Sequence, residues 1–264
     1  MSMAQINGIQ MYHEIHGQGY PLVLIHGLSA ASTAWAFQVP EFSQRYQVVS
    51  MDLRGHGQSD KPEMKYSIGL FTRDVVALMD HLGIEQAHIV GASMGGMVAQ
   101  QLALDYPQRV HRLILADSMS HLDKSLRMNM EGGALIAERL GMEAQARNAM
   151  PWAFSPWYIN EHYDEIVAII EQVATLPVQP YLQSVAATVA HDVRERLGDI
   201  AAPTLVITGD QDILVPRQYA EILCQSIPDC RLVVIEGAAH VVNIEQPEAF
   251  NAAVLSFLAE AQTN

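Results

Sequence analysis

The sequence predicts an α/β fold built on a mostly parallel, doubly wound sheet, with a helical cap inserted after the sixth strand. Short apolar runs alternate with helical patterns in the first and last parts of the chain, which is typical of parallel strands joined by helices. Residues 21–25 are apolar at every position, as expected for a strand covered on both faces. Between residues 119 and 198 only helical patterns occur. We therefore predict a core formed by residues 1–118 and 199–264 and a cap formed by residues 119–198.

The elements of the core follow from local patterns. Turn signals at residues 7–8 and 17–19 bound two short strands at the start of the chain. Ser32 or Thr33 can cap a helix that follows the first central strand and continues to Phe42. Further strands are predicted at residues 46–52, 87–90, 110–116, 203–208 and 232–235, and further helices at residues 68–82, 97–104 and 247–260, with another beginning after Pro216.

Composition and charge restrict the classes of function. Half of the 264 residues are hydrophobic and 17% are charged, which indicates a folded globular protein long enough for one large α/β domain. The net charge of −14 repels nucleic acid and anionic membrane surfaces, so neither is expected as a partner. No apolar run approaches the ~18 residues that span a bilayer. The chain begins without a basic segment and an apolar core, so we predict a cytoplasmic protein, either a monomer or a homodimer.

The two cysteines are Cys224, in a helical pattern, and Cys230, just before a strand. A disulfide framework requires more cysteines, and this spacing without nearby histidines matches no usual metal site. We therefore predict two reduced thiols with a structural role.

A glycine-rich turn in the first half of the chain carries the strongest chemical signal. Residues 91–96 read Gly-Ala-Ser-Met-Gly-Gly, directly after the apolar run at residues 87–90 and directly before a helical pattern. A serine at the apex of a strand–turn–helix of the form G-x-S-x-G is a candidate nucleophile, because the sharp turn holds the hydroxyl of Ser93 clear of the sheet. The alternative is a glycine-rich turn with a solvated serine, and partners elsewhere in the chain must decide between the two.

Two further side chains at strand ends supply the partners that a serine nucleophile needs. The carboxyl ends of parallel strands share one edge of the sheet, which places Ser93, Asp212 and His240 together. His240 can act as the base for Ser93, and a carboxylate can hold its other ring nitrogen. We prefer Asp212 over Asp210 for that role, since Asp212 lies further into the loop after its strand.

The negative charge that develops on a carbonyl oxygen under attack needs hydrogen-bond donors. The backbone N–H of Met94 follows the candidate nucleophile at a helix N-terminus and can provide the first. We predict that the backbone N–H of Leu28, in the loop after the first central strand, provides the second. Candidate residues of the substrate pocket are Ser29, Trp35, Met119 and Val241. For the tryptophan, packing into the core is an equal alternative.

Together these motifs give the chain a resemblance to the α/β-hydrolase superfamily over nearly its whole length. The segments that carry the resemblance are residues 26–28, 52–59, 91–96, 209–212 and 237–240. The chain is similar in particular to capped single-domain members that include carboxylesterases and proteins like 3-oxoadipate enol-lactonase. The resemblance implies an α/β-hydrolase fold, a serine nucleophile and a small-molecule ester or lactone as substrate.

The sequence therefore predicts a serine hydrolase that cleaves a carboxylic ester or lactone through a triad of Ser93, His240 and Asp212 and an acyl-enzyme, with neither cofactor nor metal. The same triad would also suit hydrolysis of a C–C or thioester bond, acyl transfer, or perhydrolysis with peroxide. A protein that only binds a small apolar ligand under its cap is a third interpretation, since an intact triad is compatible with it. The choice of substrate depends on the cap, whose helices periodicity alone does not position.

Overall fold

The computed structural model describes residues 2–260, and these contain one sheet of eight strands. The strands are β1 (Ser2–Ile6), β2 (Ile9–His16), β3 (Tyr20–Ile25), β4 (Tyr46–Met51), β5 (Ala87–Ala92), β6 (Val110–Ala116), β7 (Thr204–Gly209) and β8 (Cys230–Ile235). Their order across the sheet is β1-β2-β4-β3-β5-β6-β7-β8. Two pairs, β1–β2 and β2–β4, are antiparallel and the other pairs are parallel. The prediction of a mostly parallel, doubly wound sheet is confirmed.

Helices cover both faces of the sheet and fill the connection between β6 and β7. They are α1 (Val39–Phe42), α2 (Ile68–His81), α3 (Met94–Asp105), α4 (Lys124–Leu140), α5 (Met142–Ala153), α6 (Pro156–Glu161), α7 (Tyr163–Ala174), α8 (Val178–Val189), α9 (Gln218–Ser226), α10 (Val242–Glu245) and α11 (Pro247–Ala259). Helices α4 to α8 are called the cap below, and they confirm the predicted helical insertion after the sixth strand. Among the described residues, no helix combines the length and the apolar character that a transmembrane span needs.

The central strand β3 shows how the sheet is buried on both faces. Val23 and Ile25 pack into one core cluster, together with residues of α2, α3 and α9. Leu22 and Leu24 pack into the other, together with residues of α1 and α11. All four side chains are fully buried, and burial of each contributes roughly 1.5–3 kcal/mol. The uninterrupted apolar run in the sequence therefore reflects burial on two faces, as predicted.

The chain between β3 and β4 differs from the prediction. Neither Ser32 nor Thr33 caps a continuous helix; Ser32–Trp35 form a 3₁₀ turn, and α1 is a separate short helix. The backbone N–H of Ser32 donates a hydrogen bond to Asp52 Oδ1 at 2.7 Å instead. The buried carboxylate of Asp52 ties the start of this segment to the end of β4, and Trp35 is buried in the core. The segment therefore follows the surface of the core as two short pieces.

The prediction of two reduced thiols is wrong. Cys224 in α9 and Cys230 at the start of β8 form a disulfide, and their Cα atoms lie 5.1 Å apart. The chain turns over residues 227–229, and α9 packs against β8. The spacing of the two cysteines did not reveal the bond, because their contact depends on the turn between a helix and the strand that it covers.

Candidate active site

Ser93 lies at the sharp turn between β5 and α3. Its backbone has φ 52° and ψ −117°, a strained conformation for a residue with a side chain. Two glycines allow the close packing around this turn. A Cβ at Gly91 would lie 2.3 Å from the carbonyl oxygen of Gly95, and a Cβ at Gly95 would lie 2.2 Å from the carbonyl oxygen of Ile25. The turn has the geometry expected of its G-x-S-x-G motif.

Three side chains form one hydrogen-bonded chain at the carboxyl edge of the sheet. His240 Nε2 lies 2.9 Å from Ser93 Oγ, and His240 Nδ1 lies 2.9 Å from Asp212 Oδ2. The side chain of Asp212 is fully buried and that of His240 is 8% exposed, so water competes little for these hydrogen bonds. With the ring proton on Nδ1, His240 donates a hydrogen bond to Asp212, and its Nε2 accepts one from the serine hydroxyl.

The loop after β7 gives its two aspartates different roles. The second oxygen of Asp212, Oδ1, accepts hydrogen bonds from the backbone N–H groups of Leu214 and Val215, at 2.9 and 2.8 Å. Asp210 instead accepts a hydrogen bond from the backbone N–H of Gly237 at 2.7 Å. The structure therefore places Asp212, and not Asp210, against the histidine.

The two predicted oxyanion donors belong to segments that pack close to Ser93. Met94 is the first residue of α3, so its backbone N–H has no acceptor within the helix. The loop after β3 also packs close to the serine, since a Cβ at Gly27 would lie only 3.3 Å from Ser93 Cβ. Leu28 follows in this loop and lines the same cavity as Ser93. Leu28 and Met94 therefore border the cavity together with Ser93, and the role of their N–H groups as oxyanion donors stays a prediction.

A buried histidine holds the loop that carries Leu28. His26 Nδ1 lies 2.8 Å from the carbonyl oxygen of Gly27, and His26 Nε2 accepts a hydrogen bond from the backbone N–H of Leu53 at 2.9 Å. Burial lowers the pKa of His26, so the ring is neutral and both donates and accepts. Ser29 has φ 62°, which turns the chain sharply after Leu28. His26 therefore shapes the loop.

Asp117, directly after β6, supports the site and was missed in the sequence. It is buried with φ 46°, and its two oxygens accept hydrogen bonds from the backbone N–H groups of Gly209 at 3.3 Å and Val242 at 3.1 Å. This carboxylate joins the segment that carries Asp212 to the segment that carries His240. Burial, together with the nearby charge of Asp212, raises the pKa of Asp117 well above its usual range. Its position at a strand end was the one signal in the sequence.

A cavity of about 480 Å³ opens onto Ser93 and His240. The four predicted pocket residues all border it, namely Ser29, Trp35, Met119 and Val241. Trp35 does so while fully buried, so it belongs to the core and to the cavity wall at once. The cap contributes the apolar side chains of Leu126, Met130, Met150, Phe154, Ile169 and Val173. Such a cavity suits a small molecule that is largely apolar.

Polar contacts bind the cap to the segment that carries His240. Glu245 Oε1 accepts a hydrogen bond from the backbone N–H of Ala239 at 2.9 Å. Glu245 Oε2 accepts one from the backbone N–H of Ser155 at 3.1 Å and another from the hydroxyl of Ser155. The backbone N–H of His240 donates to the carbonyl oxygen of Ala153 at 3.0 Å. We call this set of contacts the cap clamp; it was missed in the sequence because its partners are far apart along the chain.

A sheet of this topology, with a serine, a histidine and an aspartate joined at its carboxyl edge, is the architecture of a hydrolase. A family model for the α/β hydrolase fold matches residues 20–247, and the chain belongs to this family. RutD of Azorhizobium caulinodans, a putative carbamate hydrolase, is 32% identical over 98% of this chain and 99% of its own length. 3-Oxoadipate enol-lactonase 2 of Acinetobacter baylyi is 33% identical over 88% of this chain and 86% of its own length. The crystal structure of the enol-lactonase from Burkholderia xenovorans LB400 is similar with a TM-score of 0.94, at 30% identity, covering 98% of this chain and 100% of that one.

Proposed function

We propose that the protein hydrolyses carboxylic esters or lactones, with Ser93 as nucleophile, His240 as general base and Asp212 as the carboxylate that orients the base. The observation that carries this proposal is the unbroken hydrogen-bonded chain from Ser93 Oγ through His240 to Asp212, with two distances of 2.9 Å. A serine hydroxyl is a weak nucleophile at neutral pH, and an adjacent base activates it. The similarity to enol-lactonases supports attack on the carbonyl of a lactone.

In the proposed acylation, Ser93 Oγ attacks the carbonyl carbon of the substrate while His240 Nε2 accepts the hydroxyl proton. Asp212 stabilises the imidazolium that forms. The carbonyl oxygen becomes an oxyanion, which accepts hydrogen bonds from the backbone N–H groups of Met94 and Leu28. Loss of one such donor typically lowers the rate by about 10²–10³. The C–O bond of the leaving group then breaks, and His240 protonates the departing alcohol oxygen.

In the proposed deacylation, His240 removes a proton from water, and the oxygen of that water attacks the acyl carbon. The bond to Ser93 Oγ breaks, the serine recovers its proton from His240, and the acid leaves. With a lactone as substrate, the alcohol and the acid are parts of one product. We assign the selection of substrates to residues 119–198 as a cap domain, on the support of the cap side chains that line the cavity above Ser93.

Replacement of Ser93 by alanine tests the proposal directly. Ser93→Ala should lower kcat/KM for p-nitrophenyl esters of short acids by roughly 10⁴-fold or more, while Ser226→Ala, at an exposed serine of α9, serves as the matched control. A fluorophosphonate should label the wild-type chain at Ser93, as read by peptide mass spectrometry, and should leave Ser93→Ala unlabelled. Full ester activity in Ser93→Ala would refute the proposed mechanism.

A carbamate is the second candidate substrate, because a relative 32% identical over nearly the whole chain is named a putative carbamate hydrolase. The same three side chains would attack its carbonyl and form a carbamoyl-enzyme. Esters, lactones and carbamates of equal size should therefore be compared in one series. Thioesters, vinylogous diketones and peroxide belong in the same series, since a serine triad also serves those reactions.

A further inference from the structure

The wall of the active-site cavity contains one carboxylate and no basic side chain of the lysine or arginine type among the described residues. Of the described residues that line it, none is a lysine or an arginine, and Glu165 is the one aspartate or glutamate among them. The chain as a whole carries a net charge of −14. Carboxamides provide further polar groups on the cap side of the wall, at Asn129, Gln145, Asn148 and Gln172. The cavity thus offers hydrogen bonds to neutral groups but no lysine or arginine to an anion.

Glu165 carries its negative charge without a strong cation beside it. It lies in the first turn of α7 and is exposed. Its Oε2 accepts a hydrogen bond from the hydroxyl of Tyr158 at 3.3 Å, and its Oε1 lies 3.1 Å from His162 Nδ1. The contact with His162 holds the pKa of Glu165 below its usual value, so the carboxylate is ionised at neutral pH. A substrate that enters the cavity therefore meets a carboxylate in the wall.

We propose that this cavity selects against substrates that carry a carboxylate, and that Glu165 is the residue that rejects them. The inference rests on the proposed hydrolysis of esters or lactones and names its substrate class. A carboxylate on the substrate would lose water in an apolar cavity, gain no lysine or arginine as partner and meet a like charge. An unpaired charge in such surroundings is costly, whereas a neutral amide or hydroxyl of equal size can hydrogen-bond to the carboxamides of the wall.

The long-range field of the protein acts in the same direction. An excess of negative charge slows the encounter with anions, and this effect weakens as salt is added. The contact with Glu165 is local and acts on binding within the cavity. Ionic strength and substitution of Glu165 therefore separate the two contributions.

Two isosteric esters that differ only in charge provide the test. Mono-p-nitrophenyl glutarate carries a carboxylate, and p-nitrophenyl 4-carbamoylbutanoate carries a carboxamide at the same place. Wild-type enzyme should hydrolyse the neutral ester with a kcat/KM at least about 100-fold higher than that of the anionic ester, after subtraction of the uncatalysed rate. The ratio should decrease in 0.5 M salt, because the long-range part is screened.

Substitutions of Glu165 assign the discrimination to this residue. Glu165→Gln keeps the shape of the side chain and should lower the ratio of kcat/KM for the neutral ester to kcat/KM for the anionic ester roughly tenfold. Glu165→Lys should lower this ratio further. Glu161→Gln is the matched control, since it removes the same charge from an exposed residue of α6 outside the cavity wall. The control should leave the ratio at its wild-type value.

The outcomes separate this inference from the proposed function. If wild-type enzyme turns over both esters equally well, the inference is wrong while ester hydrolysis stands. If Glu165→Gln and Glu161→Gln give the same ratio of kcat/KM for the two esters, Glu165 is not the selecting residue. If neither ester is hydrolysed, the two compounds are compared by how strongly each slows fluorophosphonate labelling of Ser93, and equal protection overturns the inference. Absence of labelling at Ser93 itself contradicts the proposed function instead.

Discussion

The substitution Glu245→Ala tests whether the cap clamp positions His240. Glu245 is 4% exposed and accepts hydrogen bonds from the backbone N–H groups of Ala239 and Ser155. Ala239 directly precedes His240, and Ser155 belongs to the cap. Removing the carboxylate frees the histidine segment on one side and the cap on the other. We therefore expect a loss of stability and of catalytic rate together.

The stability loss follows from the buried donors. Ala239 and Ser155 are each 1% exposed, so their N–H groups find no water after the substitution. An unpaired buried donor costs about 1–3 kcal/mol, and removal of the buried carboxylate recovers part of the desolvation that it suffers. We expect a net decrease of about 3 kcal/mol in the free energy of unfolding, or about 6–12 °C in Tm for a chain of this length.

The pH dependence of this loss has a definite sign. Burial raises the pKa of Glu245, so its contribution to stability is largest at low pH, where the carboxyl group is protonated, and decreases as the pH rises through the raised pKa. The loss of stability caused by Glu245→Ala should therefore be larger at pH 5 than at pH 8. Urea titrations followed by circular dichroism at the two pH values measure it.

The catalytic effect is measured well below the Tm of the variant. A displacement of about 1 Å in a catalytic group lowers the rate by as much as 10²-fold, so Glu245→Ala should lower kcat by roughly 10- to 100-fold and slow the labelling of Ser93 by a fluorophosphonate. Glu245→Gln keeps one carbonyl oxygen and should be intermediate. Glu248→Ala, at an exposed glutamate of α11, is the control. If Glu245→Ala and Glu248→Ala have the same free energy of unfolding and the same kcat, the cap clamp does not position His240.

Three further predictions concern other groups. Asp212→Asn should lower kcat roughly 10⁴-fold in ester kinetics, because an amide does not hold the required histidine tautomer, and Asp210→Asn should lower it far less; equal losses would contradict the assignment. Burial lowers the pKa of His191 to about 4, from 6.5. The free energy of unfolding should therefore fall by up to about 3 kcal/mol as the pH drops from 6.5 to about 4. Urea titrations should show a smaller fall for His191→Leu, and a fall equal to that of the wild type would contradict this reasoning. Reduction of the Cys224–Cys230 disulfide should cost about 2 kcal/mol for a loop this short, and Cys224→Ser should abolish the response of Tm to reductant.

The features that the sequence predicted best depend on local pattern and one topological rule. The apolar run of β3 identified a strand buried on both faces, and the glycines around Ser93 identified the sharp turn. Because parallel strands end at one edge, residues as distant in sequence as Ser93 and His240 were expected to meet, and the structure brings them within 2.9 Å. The choice of Asp212 over Asp210 rested only on position in a loop, and the hydrogen bond of Asp210 to Gly237 supplies its physical reason.

The features that the sequence did not predict depend on contacts between distant segments. Glu245 and Ser155 are 90 residues apart, and neither belongs to a recognisable motif. Asp117 resembles any polar residue after a strand until its carboxylate is seen to bridge two loops. The 3₁₀ turn that begins at Ser32 likewise involves a distant residue, because Asp52 at the end of another strand accepts the hydrogen bond of the Ser32 N–H. Periodicity and spacing carry no information about such pairings.

The cap clamp restricts how this protein can be recombined with its relatives. The cap enters and leaves the core between two consecutive strands, so it forms one continuous block that a single exchange of coding sequence replaces. Glu245, however, is encoded downstream of that block and requires donors where Ser155 stands. A transplanted cap without them leaves Glu245 Oε2 buried without its hydrogen-bond donors, close to the segment that carries His240. Viable chimaeras should therefore inherit residues 153–155 and 239–245 from one parent, which couples changes in the cap to changes in the segment that carries His240.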